Sequence, residues 1–239
     1  MRVVPGLTRV GHKGADLIAP GNTLASFDAA LAAGVDMIEF DILPRHPDGS
    51  GDLILAHDYR AAARGEPPLL EEGLAHFASA AFDGIELDVD LKLPGYEEAV
   101  VKALREHDLL ERSLVSSQYT KSLARIRALE PSLRLGWSVP RVRRDYTSSR
   151  LTIGPALAVL LAYRRALPAR ARRALRDRRI DAIMAHWRLV TPRLVRAVDA
   201  GGGSLFVWTV DDVAQMRTLD ALGVTGLITN DPRLFAALA

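Results

Sequence analysis

A (β/α)8 barrel is the fold class this sequence predicts, and three observations predict it. Short apolar runs of strand length recur eight times along the 239 residues. Amphipathic stretches opened by helix-starting residues separate them. The whole alternation occupies close to the roughly 250 residues that such a barrel takes.

The strands are predicted over 8–12, 36–42, 84–91, 113–117, 133–138, 180–186, 204–209 and 225–229. Helices are predicted to open at Asn22-Thr23, at Leu69 after Pro67-Pro68, at Tyr96 after Pro94-Gly95, and near Tyr119. Further ones open at Pro192 after Thr191, at Asp211-Asp212 and at Asp231-Pro232. Short polar side chains cap the free amides of a first turn, and proline fits where no amide partner is needed. Two connections are longer than a bare barrel requires. Residues 44–68 contain a second apolar run, Leu53-Ile54-Leu55-Ala56, after the turn Asp48-Gly49-Ser50-Gly51; this predicts a hairpin that extends strand two and returns His57 to the barrel mouth. Residues 140–179 form the other insertion, after strand five, and the expected organisation is one domain over 1–239.

Composition narrows the chemistry. The chain is 49% hydrophobic and 25% charged, as for an ordinary globular protein, and has no cysteine. Disulfides and thiolate metal sites are therefore excluded, and any metal must be held by oxygen or imidazole nitrogen, which favours hard cations. The first six residues lack the apolar core of a signal peptide, so a cytoplasmic protein is expected. The net charge of +2 hides an asymmetry: 141–180 carries twelve arginines against two aspartates. An anionic surface is one partner for this block, and a solvated arginine-rich helix is the alternative. Nucleic acid is not expected, because no aromatic residues interleave with the arginines.

The strand ends carry the candidate chemistry. Strand one ends Gly11-His12-Lys13-Gly14, a corner suited to anion binding and proton transfer. In strand two, Ile38, Phe40 and Ile42 alternate with Glu39 and Asp41, so two carboxylates share one face of a central strand. Burying them unpaired costs several kcal/mol, roughly, and a divalent cation removes that cost. Strand three places Glu86, Asp88, Asp90 and Lys92 on one face and Ile85, Leu87, Val89 and Leu91 on the other. The apolar face suits the helix layer, so the charged face is expected to line the lumen, with Asp90 and Lys92 nearest the mouth. Later strands add Ser116-Ser117, Trp137, His186 and Trp208; Trp208 is expected to form an apolar wall for a small carbon skeleton. His46, His76 and His107 are read as surface residues.

These segments together resemble the glycerophosphodiester phosphodiesterase family. The resemblance is carried in order by His12-Lys13-Gly14-Ala15, Asn22 to Phe27, Ile38-Glu39-Phe40-Asp41, His57-Asp58, Asp90-Leu91-Lys92, Val207 to Val210 and Gly226 to Thr229. It implies a barrel enzyme that hydrolyses glycerophosphodiesters to glycerol 3-phosphate and an alcohol with one divalent cation, Mg²⁺ or Ca²⁺. Carried over by position, it implies metal ligands at Glu39, Asp41 and Asp90, acid/base catalysis by His12 and His57, and phosphate contacts from Lys13 and Lys92. The chain departs from the family at Lys13, Gly21, Asp90 and Asn230, where arginine, glutamate, glutamate and aspartate are usual. The expected substrate is a small or lipid-derived glycerophosphodiester. A lysophospholipase D- or phospholipase-type barrel and a degenerate, binding-only barrel are the alternatives. The uncharged run 151–163, followed at once by arginines, adds an expectation of peripheral contact with anionic membrane through 151–179. The competing reading folds that insert onto the barrel as its fifth helix layer.

Overall fold

The computed structural model describes residues 6–140 and 153–238. Eight parallel strands close on themselves: β1 (Thr8–Gly11), β2 (Met37–Pro44), β4 (Glu86–Leu91), β5 (Ser113–Ser117), β6 (Arg134–Val139), β7 (Ala182–His186), β8 (Ser204–Trp208) and β9 (Gly226–Thr229). β1 pairs with both β2 and β9, which completes the barrel. The expected hairpin is present, with β3 (Leu53–Leu55) running antiparallel to the end of β2 and pairing Ile42 with Leu55. Around the strands lie α1 (Leu24–Ala32), α2 (Tyr59–Ala62), α3 (Leu70–Phe77), α4 (Glu97–Glu106), α5 (Thr120–Leu129), α6 (Ile153–Arg176), α7 (Pro192–Asp199) and α8 (Val213–Ala221).

Two details differ from the sequence reading. Of the expected Asn22-Thr23 cap pair, Thr23 caps the first helix, its hydroxyl accepting from the Ser26 amide, and Asn22 does not. Asn22 instead takes a left-handed conformation (φ 61°), which an Asx side chain tolerates. The short helix α2 was not anticipated; Asp58 caps it by accepting from the Ala61 amide at 2.8 Å. A single turn leaves no periodicity to read.

Two main apolar regions hold the fold, and a third, small one lies under the hairpin at Leu43, Ile54 and Ala56. The larger fills the space between strands and helices and includes the clustered rings of Phe27, Phe40, Phe77 and Phe82 behind β2, with Phe40 stacked on Phe77 and Phe82 edge-on to it. Those rings anchor the strand whose opposite face carries Glu39 and Asp41. The smaller region fills the lumen with Val10, Met37, Leu114, Met184, Phe206 and Ile228. Two residues further along each strand, on the same face, stand His12, Glu39, Ser116, His186, Trp208 and Asn230. The lumen is thus sealed at the N-terminal end and polar at the C-terminal end. A closed apolar floor keeps water from reaching the polar layer from below.

The insertion after strand five contributes α6, whose C-terminal half buries Leu167, Ala171, Ala174 and Leu175 against the barrel. This is the fifth helix layer. Residues 141–152, the first part of the insertion, lie outside the described residues.

Candidate active site

Each acid at the mouth is positioned by a neighbouring loop. The Lys13 amide donates to Glu39 Oε2 at 2.7 Å. The Asn22 side chain clamps Asp41 twice: its Nδ2 donates to Asp41 Oδ2 at 2.8 Å, and its Oδ1 accepts from the Asp41 amide at 2.9 Å. Register places Asp90 beside Asp41 and Asp88 beside Glu39 across the β2/β4 pair. Lys92 sits between the two aspartates, its Nζ 2.5 Å from Asp41 Oδ1 and 2.6 Å from Asp90 Oδ2.

The β1–α1 loop that supplies Lys13 and Asn22 depends on two glycines. Gly14 has φ +81°, and a Cβ there would lie 2.6 Å from Ser26. A Cβ at Gly21 would lie 2.5 Å from Asp16 Oδ1, which accepts the Gly21 amide at 2.9 Å. Glycine therefore lets Asp16 fold back against the loop, where its other oxygen takes the Lys13 ammonium at 3.2 Å.

Glu39, Asp41 and Asp90 each offer a carboxylate oxygen within 4.8 Å of the others, and all three are buried. Asp90 Oδ1 has no hydrogen-bond partner among the described residues. Burial and the charge of Asp41 push the Glu39 carboxyl well above its ordinary range. Burial also raises Asp90, against the pull of Lys92. For Asp41, burial alone would raise the carboxyl, but Lys92 and the histidines take it below the usual range. Three buried carboxylates against one ammonium leave excess negative charge and a buried lone-pair acceptor without a partner among the described residues. That all-oxygen set fits Mg²⁺ or Ca²⁺.

Asp88, one layer deeper, is pushed up to about 8 by burial and by Asp90. A carboxyl raised in the folded state costs nothing below its unfolded value near 3.8 and costs progressively more as pH climbs toward 8. In metal-free protein, Asp88→Asn should therefore stabilise the fold increasingly between pH 4 and pH 8, as read by urea denaturation. An effect that is constant across that range would contradict this placement.

His12 and His57 face the same cavity, of about 180 Å³, together with Glu39, Asp90, Lys92 and Trp208. Burial lowers His12 to about 4, so the ring is neutral at neutral pH. Asn230 donates through Nδ2 to Asp211 at 2.7 Å, which turns its Oδ1 toward His12 Nδ1 at 2.6 Å. This chain assigns the proton of His12 to Nδ1 and leaves Nε2 as an acceptor on the Glu39 side, 3.8 Å from Oε2. His57 is exposed, with Nδ1 3.1 Å from Asp58 Oδ2, so its Nε2 is the free end.

The Lys13 ammonium points to a neighbouring cavity and not into this one. Trp208 donates through Nε1 to the Met184 carbonyl at 2.9 Å, which sets its ring as a wall, edge-on to His186. Trp137 packs outward under the Arg170 guanidinium, 5.3 Å away, and Glu86 pairs with Arg134 at the far end of the barrel. His76 and His107 bond Asp28 and Glu71 on the helical layer. Sequence reasoning missed the Asn22 clamp, the Asp211–Asn230–His12 relay and Gln118, which joins Ser116 and Ser138 in the cavity wall. A Gly-Asn pair after a strand was the available signal for Asn22.

Comparison with known proteins bears on this constellation. The model of the "Glycerophosphoryl diester phosphodiesterase family" matches residues 12–60 and 68–234. A glycerophosphodiester phosphodiesterase of Caldanaerobacter subterraneus is 26% identical, over 93% of this chain and 93% of its own. One from Bacillus subtilis is 26% identical over 95% of this chain and 84% of its own. Among solved structures, a phosphodiesterase of Oleispira antarctica in complex with the product sn-glycerol-3-phosphate superposes with a TM-score of 0.70. That structure is 21% identical and covers 98% of this chain and 97% of that one.

Proposed function

We infer the reaction from one premise: the chain belongs to the glycerophosphoryl diester phosphodiesterase family. The reading is a phosphoric diester hydrolase that converts a glycerophosphodiester to glycerol 3-phosphate and an alcohol. The observation that carries it is the convergence of Glu39, Asp41 and Asp90 with two imidazoles in one cavity at the barrel mouth.

Glu39, Asp41 and Asp90 would hold the cation, which when bound draws charge from the phosphoryl oxygens. Lys92, tied to Asp41 and Asp90 and lining the same cavity, supplies an ammonium for the charge that develops on the phosphoryl oxygens. His12 Nε2, unprotonated and aimed into the cavity, takes the proton of the attacking hydroxyl. His57 Nε2–H gives a proton to the departing alkoxide, with Asp58 holding the ring by Nδ1. Trp208 walls the carbon skeleton of the glycerol. Phosphorus NMR of the products of glycerophosphoethanolamine and of a lysophospholipid tests this reading. Glycerol 3-phosphate from the first supports it. Turnover of the lysophospholipid alone favours the lipase-type barrel, and turnover of neither favours a binding-only barrel.

The finer reading of partners adds anionic membrane. Arg164 Nε donates to the carbonyl of Arg188, two residues past the end of β7, so α6 has already reached the mouth rim there. The helix N-terminal to that point stands beyond the rim and exposes Val159 and Leu161. Among the described residues no helix is long and apolar enough to cross a membrane. Within the expected span 151–179, the contact is assigned to this outer part of α6, and residues 151–152 lie outside the described residues. Val159→Asp combined with Leu161→Asp should reduce co-sedimentation with phosphatidylglycerol vesicles by about tenfold or more, since the apolar area lost is worth over about 1.4 kcal/mol. Turnover of a soluble diester should be unchanged. Equal sedimentation of both proteins would remove the membrane contact.

A further inference from the structure

The phosphodiester substrate has two sides, and the main cavity accommodates one of them. At about 180 Å³ it is smaller than the roughly 300–1,000 Å³ of an ordinary ligand pocket, so it is assigned to the phosphoglycerol half of the diester. A second cavity, of about 360 Å³, opens on the other side of His57, which lines both. Its walls come from the β1–α1 loop (Lys13, Asp16), from α2 (Ala61), and from the segment after α2 (Arg64, Glu66, Pro67).

His57 ties the two spaces together. A general acid must lie within hydrogen-bond reach of the oxygen it protonates, so the departing alcohol sits on the His57 side of phosphorus. Asp58 couples them further: one oxygen orients His57, and the other caps α2, which forms a wall of the second cavity. A helix lining the alcohol and the acid that releases it are held by one carboxylate.

The lining sets the chemistry of the occupant. No phenylalanine, tyrosine or tryptophan ring lines this cavity, so a trimethylammonium group would gain no cation–π stabilisation from such a ring there. Lys13 and Asp16 neutralise each other at 3.2 Å. Arg64 and Glu66, exposed and without an ion-pair partner among the described residues, offer one donor fork and one acceptor. A hydroxyl-bearing alcohol can use both, and an ammonium-bearing one can donate to Glu66.

We propose that the cavity behind His57 is the subsite for the leaving alcohol, and that Glu66, joined by Arg64 where the group is a hydroxyl, selects a small alcohol carrying hydrogen-bond donors, of ethanolamine or glycerol type, over choline. This rests on the phosphodiesterase reading. The test compares kcat/KM for glycerophosphoethanolamine, glycerophosphoglycerol and glycerophosphocholine in the full chain and in the Arg64→Ala/Glu66→Ala double variant. The wild type should favour the first two by about tenfold or more, since a site built to hydrogen-bond a substrate group rejects the analogue that lacks it. In the double variant the preference should fall to within about threefold, mainly through KM, because binding and not chemistry is altered. The milder Arg64→Gln/Glu66→Gln pair should fall between them. A wild type that does not discriminate, or a double variant that discriminates as the wild type does, overturns the subsite. A wild type that hydrolyses none of the three diesters overturns the phosphodiesterase reading itself, and the subsite with it.

Discussion

His57→Ala is expected to slow hydrolysis of a glycerophosphodiester by about 10²-fold or more, and His12→Ala by a similar factor, the usual contribution of a positioned acid or base. The two losses should respond differently to the leaving group. With an alcohol as acidic as a nitrophenol, the departing oxygen needs no proton, so the His57→Ala deficit should shrink while the His12→Ala deficit persists. The structure supports this division of labour. His12 is largely buried, neutral and held by Asn230 so that Nε2 accepts, whereas His57 is exposed and lines the second cavity, proposed above for the leaving alcohol. Neither substitution removes a core side chain, so circular dichroism should be unchanged. Near-wild-type rates in both variants would sink the assignment.

Asp41→Asn and Asp90→Asn should each abolish most turnover, by about 10²-fold or more, since each removes an anionic ligand from a three-carboxylate set. Their effects on the stability of metal-free protein should have opposite signs. Asp90 is raised above its unfolded value, so its ionised form costs stability at neutral pH, and neutralising it should stabilise. Asp41 is held below its unfolded value, so it contributes stability that is present above pH 4 and lost as pH falls through the folded value. Removing its charge also strips Lys92 of its 2.5 Å partner and should destabilise. Thermal melts of both variants in chelator read the two signs. Equal shifts in one direction would contradict the electrostatic description of the cluster.

All eight barrel strands were legible in the sequence, because the outward residues of a buried parallel strand form an unbroken apolar set that interrupts every amphipathic helix. The acid pair of β2 was legible for a related reason. Ile38 and Phe40 mark a central strand, and carboxylates alternating with them must face the lumen. What could not be read was anything set by the path of a loop. Asn22 looks like a helix cap on local grounds, and only the fold of the β1–α1 loop turns its amide onto Asp41. Lys13, expected at the phosphate, sends its ammonium to Asp16 because that loop turns through Gly14 and Gly21. The Asp211–Asn230–His12 relay joins residues that meet only when β9 closes against β1. Side-chain alternation along a strand can be read from sequence, but a contact made by a loop residue over a long separation carries no periodic signal.

The central claim is that Glu39, Asp41 and Asp90 form a cation site on which hydrolysis depends. Its most direct test is turnover of glycerophosphoethanolamine by protein stripped with EDTA, followed by titration with Mg²⁺ or Ca²⁺. The account predicts loss of activity on stripping and its return with one equivalent of cation, with neither Asp41→Asn nor Asp90→Asn rescued at the same concentration. Full activity of the stripped enzyme would contradict it.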